Sequence, residues 1–256
     1  MTARGQLRFE RAGEGTALAA AYAESPLRLL TPRRSGEAAC ALTSTLGGGL
    51  LDGDRIALDI EVGERALALV SSQGPTRVFR GACASETRAR VAASGALMLL
   101  PDPYACFRGA RFAQSTHVEL EPGASLLFWD VLSAGRDRWD FASCRTALSV
   151  RRGGRALIDE AWLLDQAHGA VQARLGRFGA LATLLAAGPR FAGLRCEPRP
   201  VGREIDAVSP LGADAFVLRV AAPTTEEALA AVRLRVEPLR SLLGDYPWRR
   251  DASVAA

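Results

Sequence analysis

This sequence contains no lysine and no asparagine, so all 32 of its basic residues are arginines, set against 28 acids. The absence of lysine excludes a Walker phosphate loop, whose G-x-x-x-x-G-K-[ST] pattern needs an ammonium group to reach the phosphates. It also excludes an S-x-x-K nucleophile. Histidine is scarce: His117 lies in the strand-like "STHVELE" and His168 in the loop-like "DQAHGAV". Two histidines argue against a closed zinc or nickel cage of Cys and His pairs and leave little material for a catalytic triad. No G-x-S-x-G elbow is present.

Aromatic residues make up 6% of the chain, and the arginines are scattered among acids, so the net charge of +4 is no nucleic-acid footprint. No apolar run approaches the roughly 18–20 residues of a membrane span. The opening "MTARGQLRFERAGEG" lacks an apolar h-region. The expected location is the cytoplasm, with neither nucleic acid nor membrane as partner. The five cysteines (Cys40, Cys83, Cys106, Cys144, Cys196) stand far apart with no C-x-x-C pair, and read as reduced thiols filling the core.

What the chain does have is strand periodicity. "RIALDIEV" sets Ile56, Leu58, Ile60 and Val62 on one face and Ala57, Asp59 and Glu61 on the other. A glycine turn at Gly63 leads into "GERALALV". The same unit of strand, glycine turn and strand returns at Gly95, Gly123 and Gly154, roughly 30 residues apart. Each turn is expected to use glycine for a positive φ. One unit is too small to bury its own apolar face, so stacking of neighbours is predicted. The expected fold is all-β dominated, an irregular β-helix or solenoid-like stack of strands, with a β-sandwich as the alternative.

One or two helices should close the chain. Thr224 and Glu227 have capping-box spacing, and Leu229, Val232 and Val236 form one stripe. Pro238 should end or kink that helix, and Gly244 should stop it. The helix is expected to dock on the β body, with partner binding as the other reading. The predicted organisation is one domain over 1–256: a β body over about 5–222, a helix over about 224–243, and a disordered tail at 245–256.

The glycine-rich "LGGGLLDGDR" at 46–55 is followed by a strand, so it is neither a dinucleotide fingerprint nor a calcium loop, and reads as a turn. Two inward carboxylates are more informative. Asp130 in "SLLFWDVL" shares its face with Phe128 and Leu132, and Glu160 in "ALIDEAWLL" with Ile158, Trp162 and Leu164. Such acids cost desolvation energy unless paired, solvated or metal-bound. Either arginines neutralise them, or they line an internal cavity or water-filled passage whose oxygen ligands hold a divalent ion weakly.

The stretch "TSTLGGGLLDGDRIALDIEVGERALALVSSQGPTRVFR" resembles the signature region of the urease accessory protein UreD (UreH) family. The likeness continues through "LPDPYACFRGARFAQSTHVELEPGASLLFWDVLSAGR", "RWDFASCRTALSVRRGGRALIDEAWLLD" and "VLRVAAPTTEEALAAVRLRVEPLRSLLG", over roughly residues 5–245. The chain departs from the pattern where "STL" replaces a proline-containing lead, where Asp52 replaces glycine, and where Arg77 replaces lysine. The resemblance implies a non-enzymatic maturation chaperone that docks on apo-urease subunits and recruits UreF and the GTPase UreG. It also implies an all-β helical stack with a couple of helices. A homodimer of a UreD–UreF–UreG complex is a further expectation. No tightly bound cofactor is implied, only transient Ni²⁺, with Asp52, Asp54, Asp130, Glu160 and Asp165 as the acids along which it would pass. The alternatives are a β-helix carbohydrate-active enzyme, which needs two carboxylates in an open groove, and a structural adaptor whose acids are all bridged by arginine.

Overall fold

The computed structural model describes residues 2–32, 36–136, 138–194 and 203–246. Cys196 and residues 247–256 of the expected tail lie outside them. The chain opens with β1 (Thr2–Ala12), β2 (Gly15–Ala23), β3 (Leu27–Leu30) and β4 (Ala39–Thr45). A coil follows. Its first turn is β5 (Arg55–Val62) and β6 (Leu67–Ser72). A short β7 (Thr76–Val78) leads to the second, β8 (Gly81–Val91) and β9 (Ala96–Leu100). A short β10 (Tyr104–Cys106) leads to the third, β11 (Ala110–Leu120) and β12 (Ser125–Ser133). Next come β13 (Ser143–Arg152), β14 (Arg155–Asp165), α1 (Val171–Leu175), β15 (Ala180–Ala187), β16 (Ile205–Pro210) and β17 (Ala215–Ala222). The end is helical, with α2 (Thr225–Val236), a 3-10 turn and α3 (Arg240–Leu243).

Successive strands of the coil alternate between two facing sheets. One has the order β14-β13-β11-β8-β5-β1-β2, the other β16-β17-β15-β12-β9-β6-β4-β3. Within each, the coil strands pair in parallel: β5·β8, β8·β11 and β11·β13 in the first, β4·β6, β6·β9 and β9·β12 in the second. The expected solenoid-like stack is what forms, and its two walls pack face to face as in a sandwich.

The fourth repeat departs from the other three. Gly153 (φ 53°) and Gly154 (φ 77°) form a two-residue loop, and β13 turns straight back into antiparallel β14 within the same sheet. Adjacent positive-φ glycines suit the tight hairpin whose twist matches its strands. The coil is thereby ended. The turn glycines also divide their work. Gly123 (φ 78°) takes a positive φ, whereas at Gly63 and Gly95 it is Arg65 (53°) and Ser94 (58°) that do so. Gly95 is required by space instead: a Cβ there would lie 2.8 Å from the Gly63 carbonyl oxygen and 2.9 Å from that of Ala92.

The two walls differ in dress. The central strands of the second sheet are buried on both faces: Leu69, Met98, Leu127 and Trp129 pack outward under Ala228, Ala231, Val232 and Val236 of α2. These strands accordingly read as continuous apolar runs such as "ALMLL". The first sheet buries one face only and alternates. On its open face, register places Arg8, Glu61, Arg90, Glu119 and Arg151 side by side on five neighbouring strands, alternating in sign.

The C-terminal expectations hold. Thr224 accepts from the Glu227 N–H, and Glu227 accepts from the Thr224 N–H, closing the capping box. Pro238 lies in the 3-10 turn that interrupts the helix, and Gly244 (φ 63°) stops it. The helix docks on the β body, locked by the buried Arg235–Asp206 pair at 2.8 Å. Tyr246, within the expected tail, packs against the same core. No helix among the described residues is long and apolar enough to cross a membrane. Replacing Thr224 with alanine removes the cap. We expect a loss of about 1 kcal/mol, read as a melting point lower by roughly 2–4 °C in a thermal scan.

Candidate functional site

The space between the sheets is layered along the strands. Near the turn glycines it is filled by Ile60, Val62, Val91, Leu120, Leu97, Leu126 and Phe128. At the far end stand Cys83, Phe112, Cys144, Tyr104, Leu132 and Trp139. Between these apolar layers runs a polar belt, created by register. In the first sheet Ser85, Gln114 and Thr146 are direct neighbours, as are Thr87 and Thr116 one step on. In the second sheet Thr43 is beside Ser72, and Asp130 is beside Thr183, which is beside Arg219. Inward positions recur every second residue, so β8, β11 and β13 add polar side chains at the same depth, while β5 contributes Ile56 and Leu58 there. The belt crosses the strands from one side of the sandwich to the other.

Cavities follow the belt. The largest on its β4 side has a volume of about 400 Å³ and is lined by Thr43, Ser72, Ser85, Thr87, Gln114 and Asp130, among others. On the opposite side, between β14 and β17, a second opening of about 500 Å³ is lined by Glu160, Trp162, Thr183 and Arg219. A neck of about 10 Å³ lies between Asp130, Gln114, Thr146, Thr183, Glu160 and Trp162. It shares Gln114 and Asp130 with the first cavity, and Glu160, Trp162 and Thr183 with the second. Its size is roughly that needed by one water molecule.

The two inward carboxylates resolve the sequence alternatives differently. Asp130 has no arginine partner among the described residues. Its Oδ1 accepts from the Gln114 amide at 3.0 Å and its Oδ2 from the Tyr104 hydroxyl at 3.3 Å. Burial pushes its pKa up to about 6, against the opposing effect of the Gln114, Tyr104 and Val131 N–H donors. Glu160 is paired, accepting from Arg219 Nη2 across the gap between the sheets. Asp130 and Glu160 thus meet at the two ends of one neck.

The other three acids lie elsewhere. Asp52 Oδ1 accepts from the Ala82 N–H at 2.7 Å, and Asp54 Oδ2 from the Leu51 N–H at 2.8 Å. Both organise the glycine-rich loop and line neither belt cavity. That loop is a turn, as expected: Gly47 (φ 81°) and Gly48 (φ 75°) reverse the chain. Gly49 passes so close to Arg77 that a Cβ would lie 2.3 Å from its carbonyl oxygen. Burial, reinforced by Asp54 and Asp52, pushes the nearby Cys83 thiol up to about 11. Asp165 caps a 3-10 turn, accepting from the Ala167 N–H at 2.7 Å. His117 is exposed, 3.8 Å from Glu86. The described cysteines are free thiols, as expected.

Sequence reasoning missed Tyr104, Gln114, Arg219 and the hydroxyl rows. A signal existed for the rows: "S-E-T" at Ser85–Thr87 and "Q-S-T" at Gln114–Thr116 occupy equivalent places before successive turns. Among the described residues, no three His, Cys, Asp or Glu side chains gather as a metal-holding group. The belt is a line of single oxygen donors.

Because the folded pKa of Asp130 is raised, the native state holds a proton that the unfolded chain has already lost between about pH 4 and pH 6. Stability therefore falls as pH rises through that window. Urea titrations at pH 4.5 and pH 6.5 should show a smaller fall for Asp130→Asn than for the parent chain. An identical pH response would refute the buried-acid assignment.

A family model described as UreD urease accessory protein matches residues 1–251. A protein of Sorangium cellulosum named urease accessory protein UreD is 42% identical over 96% of this chain and 83% of its own length. Its Anaeromyxobacter namesake is 38% identical over 96% and 88%. A rice protein named urease accessory protein D is 24% identical over 96% and 95%. With a match along almost its whole length and such relatives on either side of it, the chain belongs to the UreD urease accessory protein family.

Proposed function

We propose that this chain serves urease maturation as a docking scaffold through which Ni²⁺ travels along the polar belt to the apo-enzyme. The observation that carries the reading is the neck: two carboxylates lining a void with room for about one water, which shares Gln114 and Asp130 with the cavity on one side and Glu160, Trp162 and Thr183 with that on the other. An ion with a full shell of six waters does not fit where one fits, so it must exchange waters for the side-chain oxygens of the belt. Oxygen donors present one or two at a time suit a divalent cation that has to move on, whereas thiolate and imidazole cages suit one that stays. The partners in this reading are urease structural subunits, UreF and UreG, with the carrier complex paired as a homodimer. Asp52 and Asp54, at the glycine-rich loop, and Asp165, at the end of β14, line none of the belt cavities and lie off this route.

A polysaccharide-cleaving enzyme is less well supported. Its two carboxylates must both face substrate in an open groove. Here Glu160 is bound to Arg219, and the void that both carboxylates line holds about one water, too little for a sugar ring.

The test is co-expression of the chain with urease subunits, UreF and UreG. In the Asp130→Ala/Glu160→Ala double variant, nickel per urease active site should drop at least severalfold by elemental analysis, while the complexes still co-purify. Full nickel loading by the double variant would leave a scaffold without ion passage.

A further inference from the structure

β14 and β16 are the last strands of their sheets on one side, and among the described residues no strand joins the two walls there. What spans the gap is a pair of side chains. Arg219 is an inward residue of β17 and reaches across to Glu160 on β14. Both line the opening on that side, and Glu160 also lines the neck behind it. The two partners differ in freedom: the Arg219 side chain is 45% exposed, that of Glu160 24%. The guanidinium can therefore swing into solvent, whereas the carboxylate stays at the mouth.

Building on the passage reading, we propose that Arg219 is the gate of this mouth. With no cation in the neck, its guanidinium supplies the counter-charge of Glu160 and plugs the opening with a positive charge. A divalent cation arriving beside Glu160 replaces it, repels it and frees the way out. The exchange keeps the carboxylate neutralised at every stage, so a half-buried acid is never left without a partner. It also sets the sign of what the mouth admits from outside, because a lone cation approaching from solvent meets the arginine first. Arg219 is thus a positioning residue, acting on the passing ion through Glu160.

The purified full-length chain allows a direct test. Trp162 lines both the neck and the mouth, so nickel chloride mixed with the protein in a stopped-flow fluorimeter should quench it on arrival. A Trp162→Phe control identifies the signal. Arg219→Met keeps the length and removes the charge, and should speed the quenching at least tenfold. Arg219→Lys keeps the charge and should remain within about twofold of the parent rate. Equal rates for all three, with Asp130→Asn still altering the quenching, would overturn the gate and leave the passage standing. Quenching that is unchanged in Asp130→Asn and Glu160→Gln as well would overturn both. If the methionine variant fails to fold, as judged by its melting curve, Arg219→Gln carries the same comparison.

Discussion

Polar side chains buried between two sheets must find partners or water, and this structure depends on where they do so. Parallel pairing without slippage sets equivalent positions of successive repeats side by side. Polar residues at equivalent places on β8, β11 and β13 therefore form one polar row. Had those positions been scattered in register, each hydroxyl would sit alone in an apolar core at a cost of a few kcal/mol. Aligned, they share one polar seam between two apolar layers, Leu97 and Phe128 lying to one side and Phe112 and Trp139 to the other. The apolar layers hold the walls together, and the seam keeps them from collapsing onto each other.

That arrangement explains which parts of the molecule could be read in advance. Strand phase was legible because it is local: "RIALDIEV" carries its own alternation. The capping box at Thr224 and Glu227 was legible for the same reason. The hairpin after β13 looked like the turns before it, although its paired glycines were a usable sign that the chain would double back. The partners of Asp130 and Glu160 were beyond reach, because they depend on which strands face each other across the sandwich. Gln114 is 16 residues from Asp130, and Arg219 is 59 residues from Glu160. Period reveals that an acid points inward, but not what it meets there. The resemblance to the UreD family carried the functional reading further than the spacing of any residues did.

The contrast between the two carboxylates is informative in itself. Asp130 sits where burial competes with hydrogen bonds from Tyr104 and Gln114, which leaves its ionisation close to balance. Glu160 sits at the edge of the sandwich, where a flexible cation is to hand. One acid is held by neutral donors in the interior and the other by a charge at the rim. Any species moving between them crosses from a fixed environment to an adjustable one.

The alternating charges on the open face of the first sheet bear on a hazard of coiled repeats, which can lose or gain a turn without offending their hydrophobic pattern. Remove the turn made by β8 and β9, and β5 would lie against β11. Glu61 would then face Glu119, where Arg90 now stands between them. Like charges directly opposite one another on a sheet are unfavourable. An odd change in the number of turns is penalised, while an even change preserves the alternation. The row Arg8, Glu61, Arg90, Glu119, Arg151 thus counts the turns of the coil by parity, and so guards the length of the path that the seam makes through the protein.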